Sequence, residues 1–317
     1  MLEIFFCNVG DGDAVLLREH REGGAEYTVL VDAGRPYVES REGSLRKDAL
    51  DYLTARRVNR LDRMILTHPH IDHIGGAARI LRAIPTERLE MLLPPPETAN
   101  RVCRSFVSTK KRPNGLRHML NILLELRDAA YERGTRVESI HPGEQMLTGA
   151  LGMTAYMPRV EVIDRQRLVF EALYGGSSVD ETLCAEVAEE RNLSSLMLRF
   201  SYGGRSILLT GDRYAADWEG EGLPPCDILK LPHHGDAKSM TEPLLRRLSP
   251  QYAVISCENS PTAKKERPSA DVVSMLQRLT PHVLCTENRP MAMLKGSTHN
   301  GIRFELEADG RIVCHLE

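Results

Sequence analysis

Thr67-His68-Pro69-His70-Ile71-Asp72-His73 sets three imidazoles and a carboxylate directly behind the apolar run Met64-Ile65-Leu66. Arg63 to Leu66 reads as a short buried strand, and Gly75-Gly76 before Ala77-Ala78-Arg79-Ile80-Leu81 reads as the opening of a helix. The cluster therefore falls on a loop at the C-terminal end of a strand, where α/β proteins commonly place their chemistry. Histidines this close cannot all be ordinary core residues, because each buried imidazole needs a hydrogen-bond partner. Neutral imidazoles with a carboxylate suit Zn²⁺, Mn²⁺ or Fe, whereas a structural zinc site more often recruits thiolates. The bland alternative is a solvated loop with coincidental histidines.

Three other apolar runs stop at polar residues in the same way. Val29-Leu30-Val31 ends in Asp32-Ala33-Gly34, Leu208-Leu209 ends in Thr210-Gly211-Asp212, and Leu229-Lys230-Leu231 ends in Pro232-His233-His234-Gly235. Taken singly, Asp212 suits a turn as well as a metal. Taken together, His68, His70, Asp72, His73, Asp212 and one of His233 and His234 supply most of what two ions and a bridging carboxylate require.

The surrounding pattern alternates strands and helices. Leu2 to Cys7, Ala14 to Arg18 and Tyr27 to Val31 read as a strand meander, Leu45 to Arg57 as a helix, Leu89 to Leu93 as a strand, and Leu116 to Arg133 as a helix. Ser195 to Phe200 and Ser206 to Thr210 flank Gly203-Gly204 as a hairpin. Strands are expected at 227–231, 252–256, 283–285, 301–306 and 311–315, and helices near 242–248 and 270–279. We expect one domain over 1–317, with insertions near 94–115 and 157–191. The second of these has poor periodicity, and its Gly175-Gly176-Ser177-Ser178 run marks a flexible excursion.

Composition narrows the classes. The 317 residues carry 41 basic and 44 acidic side chains, a formal net charge of -3, so no global field favours a polyanion and a local patch or metal would have to hold one. The seven cysteines are scattered without a Cys-x-x-Cys pair, as expected of reduced thiols in a cytoplasmic protein. Neither an export signal nor a membrane span is expected, since no basic leader and no run of 18 apolar residues occurs.

The order of these motifs resembles the metallo-β-lactamase fold superfamily, whose His-x-His-x-Asp-His loop matches residues 68 to 73 at every named position. More narrowly, Asn8-Val9-Gly10-Asp11-Gly12-Asp13-Ala14, Asn192-Leu193-Ser194-Ser195-Leu196, Thr210-Gly211-Asp212 and Leu231-Pro232-His233-His234-Gly235 look like the hydrolase domain of the competence proteins ComEC and Rec2. The resemblance runs from residue 1 to about 285. It implies a four-layer αββα sandwich with the metal site at the edge between the sheets, without the family's membrane channel.

By that resemblance Asp212 bridges two divalent ions, zinc or manganese. His68 and His70 complete the first ion's set, and Asp72, His73 and one histidine of the 233–234 pair the second's. We assign His233 to the metal and His234, with Asp72, to catalysis, although two adjacent imidazoles leave that choice open. Two departures stand out. Many superfamily members carry a further histidine before the Thr-Gly-Asp strand, where this chain has Arg191-Asn192-Leu193-Ser194-Ser195, and His118 or His141 would have to replace it through the fold. Asp236 stands where the related proteins usually have Gly-Ser, ahead of Lys238 and Ser239.

The expected activity is a metallo-hydrolase using a metal-bound hydroxide on a phosphodiester, with DNA or RNA the leading substrate. A small-molecule hydrolase acting on an ester, cyclic nucleotide or lactone is the enzymatic alternative, and a non-catalytic interaction module is disfavoured by the retained ligands. Asp11, Asp13 and Asp32 fit either turns or support of the ligands. Lys110-Lys111-Arg112 and Lys264-Lys265-Glu266-Arg267 fit either solvated faces or a track for a polyanion.

Overall fold

The structure, a computed structural model, describes all residues except 107–110, 259–266 and 291–292, and only the backbone of 111–113. The early strands β1 (Leu2–Cys7), β2 (Val15–His20), β3 (Glu26–Val31), β4 (Leu61–Leu66), β5 (Thr86–Met91) and β6 (Arg136–Ser139) lie in one sheet. A second sheet takes β7 (Gln145–Thr148), β8 (Leu151–Tyr156), β9 (Met197–Tyr202), β10 (Arg205–Leu209), β11 (Ile228–Lys230), β12 (Tyr252–Ile255) and β13 (His282–Cys285). The chain then returns to the first sheet with β14 (Gly301–Leu306) and β15 (Ile312–Leu316), giving the order β15-β14-β1-β2-β3-β4-β5-β6 against β13-β12-β11-β10-β9-β8-β7.

Period-two alternation builds the layers. Ile4 and Phe6 enter the core between the sheets with Val29, Val31, Leu198, Leu209 and Phe304, while Phe5 and Cys7 point the other way. That outer face packs under α1 (Ala49–Ala55), α3 (Ala77–Ala83) and α4 (Lys111–Glu132), with α2 (Ile71–Ile74) a single turn between the first two. It is also covered by α5 (Val160–Tyr174) and α6 (Glu181–Glu189). The outer face of the second sheet packs Leu208, Leu229 and Ile255 under α7 (Glu242–Leu248) and α8 (Ala270–Leu279). The result is the αββα sandwich.

Each sheet is antiparallel on one side and parallel on the other. β2 and β3 run antiparallel and β3 and β4 parallel, while β9 and β10 run antiparallel and β10 and β11 parallel. Parallel neighbours end side by side, so Asp32 meets Thr67-His68 and Asp212 meets the 233–234 histidines without any long loop.

The 157–191 segment, where the sequence shows poor periodicity, is largely helical. It forms α5 and α6, whose buried Ile163, Gln166, Phe170 and Leu173 recur at helical spacing. A polar Gln166 in that buried stripe, and no side-chain cap at Arg159, hide the period in the sequence. The strands β6, β7 and β8 had no expectation, and β6 and β7 are half exposed with weak apolar alternation. Helix α4 begins at Lys111, ahead of the expected Leu116.

One glycine in the first turn holds the site's geometry. Gly12 has φ +131°, and a Cβ there would collide with the backbone carbonyl oxygen of Asp72. Asp13 N–H donates to that same oxygen across 3.3 Å. Gly12→Ala is therefore expected to destabilise the protein by about 3 kcal/mol, read as a lower urea midpoint with an unchanged slope.

Candidate metal centre

Three strand ends deliver the side chains of the ligand sets. The turn after β4 carries His68 and His70, and α2, whose first residue follows His70, places Asp72 and His73 on one turn. Asp212 leaves β10 through Gly211, with its N–H donating to Ser195 Oγ across 3.1 Å. His233 and His234 follow β11 at φ +49° and +56°, a left-handed pair that non-glycine residues seldom adopt and that is common where side chains are aimed for function.

The ligand atoms form two sets that share Asp212. Asp72, His73, Asp212 and His234 have ligand atoms within 4.8 Å of one another, and so do His68, His70 and Asp212. In the first set His73 Nε2 lies 3.3 Å from Asp212 Oδ1, while His234 Nε2 lies 3.4 Å from Asp212 Oδ2 and 3.5 Å from Asp72 Oδ2. In the other, His68 Nε2 and His70 Nδ1 face each other at 3.0 Å.

Hydrogen bonds on the far side of each ring fix which nitrogen faces inward. His73 Nδ1 pairs with Asp32 Oδ2 at 2.8 Å, and His234 Nδ1 with the Ser256 carbonyl at 2.9 Å. Thr67 donates its hydroxyl proton to Asp32 Oδ2 at 2.7 Å, so it accepts from His68 Nδ1 at 3.1 Å. Each of these imidazoles thereby turns Nε2 toward the carboxylates, the arrangement that orients metal-binding histidines. Asp13 stands behind them, 3.8 Å from His73, and ion-pairs with the buried Lys230 of β11.

Without a cation these groups compensate one another at a cost. Burial alone would lower the His73 and His234 pKa values, yet Asp212, with Asp32 at His73 and Asp72 at His234, raises His73 well above the ordinary range and His234 to about 10. Against the cost of burial, His234 and His73 hold Asp212 well below the carboxylate range. His68 is pushed well below its usual value, chiefly by burial, and His70 to about 4 by burial and then the Arg191 charge. Buried His73 Nε2, His234 Nε2 and Asp212 Oδ1 still lack hydrogen-bond partners. Unpartnered oxygen and imidazole atoms converging in this way fit a divalent ion that takes the place of the histidine protons.

The sequence-expected residues do not all converge. His68, His70, Asp72, His73 and Asp212 do. Of the adjacent pair, His234 stands in the ligand set, while His233 has its Nε2 4.0 Å from Asp212 and accepts from Arg267 Nη2 at 2.7 Å. His118 and His141 are exposed and belong to neither set, and Asp11 pairs with Arg35 at 2.8 Å rather than with an imidazole. Ser256, Lys230 and Arg191 carried no sequence signal, because only β-strand register and the packing of α6 bring them here. Lys110 and Lys264 to Glu266 lie outside the described residues.

The metallo-β-lactamase superfamily model matches residues 7–99, the part of the chain that holds β2 to β5 and the His68 to His73 loop. The ComE operon protein 3 of Bacillus subtilis is 27% identical over 301 residues, covering 90% of this chain and 32% of that protein. Recombination protein 2 of Haemophilus influenzae is 24% identical over 252 residues, covering 78% of this chain and 23% of that protein. The chain thus spans a third or less of the length of these curated relatives. Among solved structures, the metallo-β-lactamase fold protein YhfI from Bacillus subtilis aligns over 90% of this chain and 97% of that one, at 11% identity and a TM-score of 0.48.

Metal binding should release protons. His73 and His234 hold theirs at neutral pH in the metal-free protein, so affinity for Zn²⁺ or Mn²⁺ should rise with pH between 6 and 8, by roughly tenfold or more per unit. Metal-free stability moves the opposite way. A raised folded pKa contributes fully below the unfolded value of about 6.5 and is lost as pH climbs through about 10. Calorimetric titration in two buffers of different ionisation enthalpy, with thermal melts in chelator, checks both signs.

Proposed function

We propose that this domain is a metal-dependent hydrolase of phosphodiesters, with a nucleic acid as the leading substrate. The observation that carries the proposal is the pair of ligand sets sharing Asp212. Bound there, divalent ions supply a deprotonated water at neutral pH and neutralise charge on a phosphoryl group. We assign one ion to Asp72, His73, Asp212 and His234, and the other to His68, His70 and Asp212. Zinc and manganese both suit these donors.

The chain's own residues do the positioning. Asp32 and the Ser256 carbonyl keep His73 and His234 in the tautomer that offers Nε2, and Thr67 does the same for His68. Against the cost of burial, the neighbouring histidines hold the Asp72 and Asp212 carboxyls well below the usual carboxylate range, which keeps both anionic for a cation. The His68, His70 and Asp212 set has three ligands against four in the other, so it should bind its ion more weakly.

Similarity to ComE operon protein 3 and Recombination protein 2 supports a nucleic acid over a small ester. A small-molecule hydrolase would need an enclosed pocket against 157–191. The cavity between Leu66, His68, Met91, Gln166 and Phe170 measures about 20 Å³, room for one water, and the larger one beside Pro96, Arg167 and Tyr174, about 140 Å³, is lined by no residue of either ligand set. No described helix is long and apolar enough to cross a membrane. Cys7, Cys184 and Cys226 stand as buried thiols, in keeping with a cytoplasmic setting.

Metal analysis of the purified protein should find one tightly held ion and a second that dialysis removes. Loaded with Mn²⁺ or Zn²⁺, the protein should hydrolyse bis-p-nitrophenyl phosphate and single-stranded DNA. Asp212→Ala should lose both ions and at least about a thousandfold in turnover. Equal activity in the variant and the native protein would refute the assignment.

A further inference from the structure

Two guanidiniums at the mouth of the metal centre have no structural task that uses them up. Arg191 sits on the 3₁₀ turn that follows α6, half-buried, with Nε donating to the Ala188 carbonyl at 2.8 Å. That bond pins the side chain along the end of α6. Among the described residues its two terminal nitrogens have no acceptor, and no carboxylate lies within ion-pair distance.

Arginines elsewhere near the site are paired, as Arg35 is with Asp11 and Arg46 with Glu258. A half-buried guanidinium without an ion pair is costly. Arg191 is close enough for its charge to act on His70 and for that of Asp72 to act on it. Once Asp72 ligates a cation, that one compensating charge is spent.

Arg267 enters from the segment before α8. Its Nη2 donates to His233 Nε2 at 2.7 Å, which requires a lone pair there, and its Nε lies 3.6 Å from Asp236 Oδ2. The His233 ring is held in turn by Tyr214, at 4.7 Å between centroids. His233 therefore neither offers Nε2 to an ion nor holds a proton on it while this contact persists. Its position makes it an anchor for Arg267, and the departure at Asp236 becomes a second anchor. Nη1 of Arg267 has no acceptor among the described residues.

We propose that Arg191 and Arg267 form a clamp for the non-bridging phosphoryl oxygens of the substrate, with His233 and Asp236 positioning the second arm. The clamp rests on the phosphodiester reading above and adds the groups that recognise the phosphate. Guanidinium N–H groups match phosphoryl oxygens in a fixed fork and act most strongly where water is excluded.

The test uses the metal-loaded full chain with inorganic phosphate as the probe, followed by calorimetry, beside turnover of bis-p-nitrophenyl phosphate. Arg191→Gln and Arg267→Gln should each weaken phosphate binding by about tenfold or more, with the ion at Asp72, His73, Asp212 and His234 retained. Arg191→Lys should recover part of the loss, since the charge returns without the fork. His233→Ala should weaken phosphate as Arg267→Gln does and leave metal content intact. Native phosphate affinity in both glutamine variants overturns the clamp and leaves the hydrolase standing. A metal-loaded native protein that neither binds phosphate nor turns over the diester overturns the phosphodiester reading itself.

Discussion

Parallel pairing of β3 with β4 and of β10 with β11 is the constraint on which the site depends. In each sheet it sets two C-terminal strand ends side by side, and stacking the sheets through Phe6, Val31, Leu198 and Leu209 brings the two pairs together. The strands supply direction at little entropic cost, because the ligands lie within a few residues of hydrogen-bonded ladder positions. Only the last step is irregular. Gly12, Gly211 and the left-handed His233-His234 pair turn the chain sharply where strand geometry would carry side chains past the centre.

Charge follows from that convergence. Asp13, Asp32, Asp72 and Asp212 approach one another among buried imidazoles, an arrangement no apolar core would tolerate unpaired. In the metal-free protein the deficit is met by protons on His73 and His234 and by the Lys230 ammonium against Asp13. Lys230 lies in the middle of the second sheet, in register with Leu209 and Val254, so it neutralises Asp13 without competing for the ligand atoms. A cation then displaces protons rather than an ammonium, and the supporting pair stays intact in both states.

Much of this was legible in the sequence, and what was legible shares one property. The ligands of the His68 to His73 loop, Asp212 and the 233–234 pair each follow an apolar run, so local pattern locates both the strand and its end. What was hidden depends on neighbours. The choice between His233 and His234 turns on which ring finds the Ser256 carbonyl and which meets Arg267, and both partners come from residues distant in sequence. Helix α5 was hidden because Gln166 interrupts its apolar face, and β6 and β7 because edge strands near solvent need no alternation.

The absent histidine before the Thr-Gly-Asp strand gains a physical meaning from the same neighbours. The segment that would carry it ends at Ser195, whose hydroxyl accepts the Asp212 N–H, and at Leu196, whose N–H donates to the Thr67 carbonyl at 2.9 Å. Both bonds fix the distance between the two ligand-bearing loops, so the segment keeps its structural task while its side chains are free to differ. Arg191 then brings a positive charge to the side where the first ion has fewest ligands. A cation and a guanidinium so placed repel unless an anion lies between them. On the proposed assignment, an ion at His68 and His70 and a phosphoryl group should therefore bind cooperatively, each completing the other's charge, whereas an ion at Asp72, His73, Asp212 and His234 would have no such dependence.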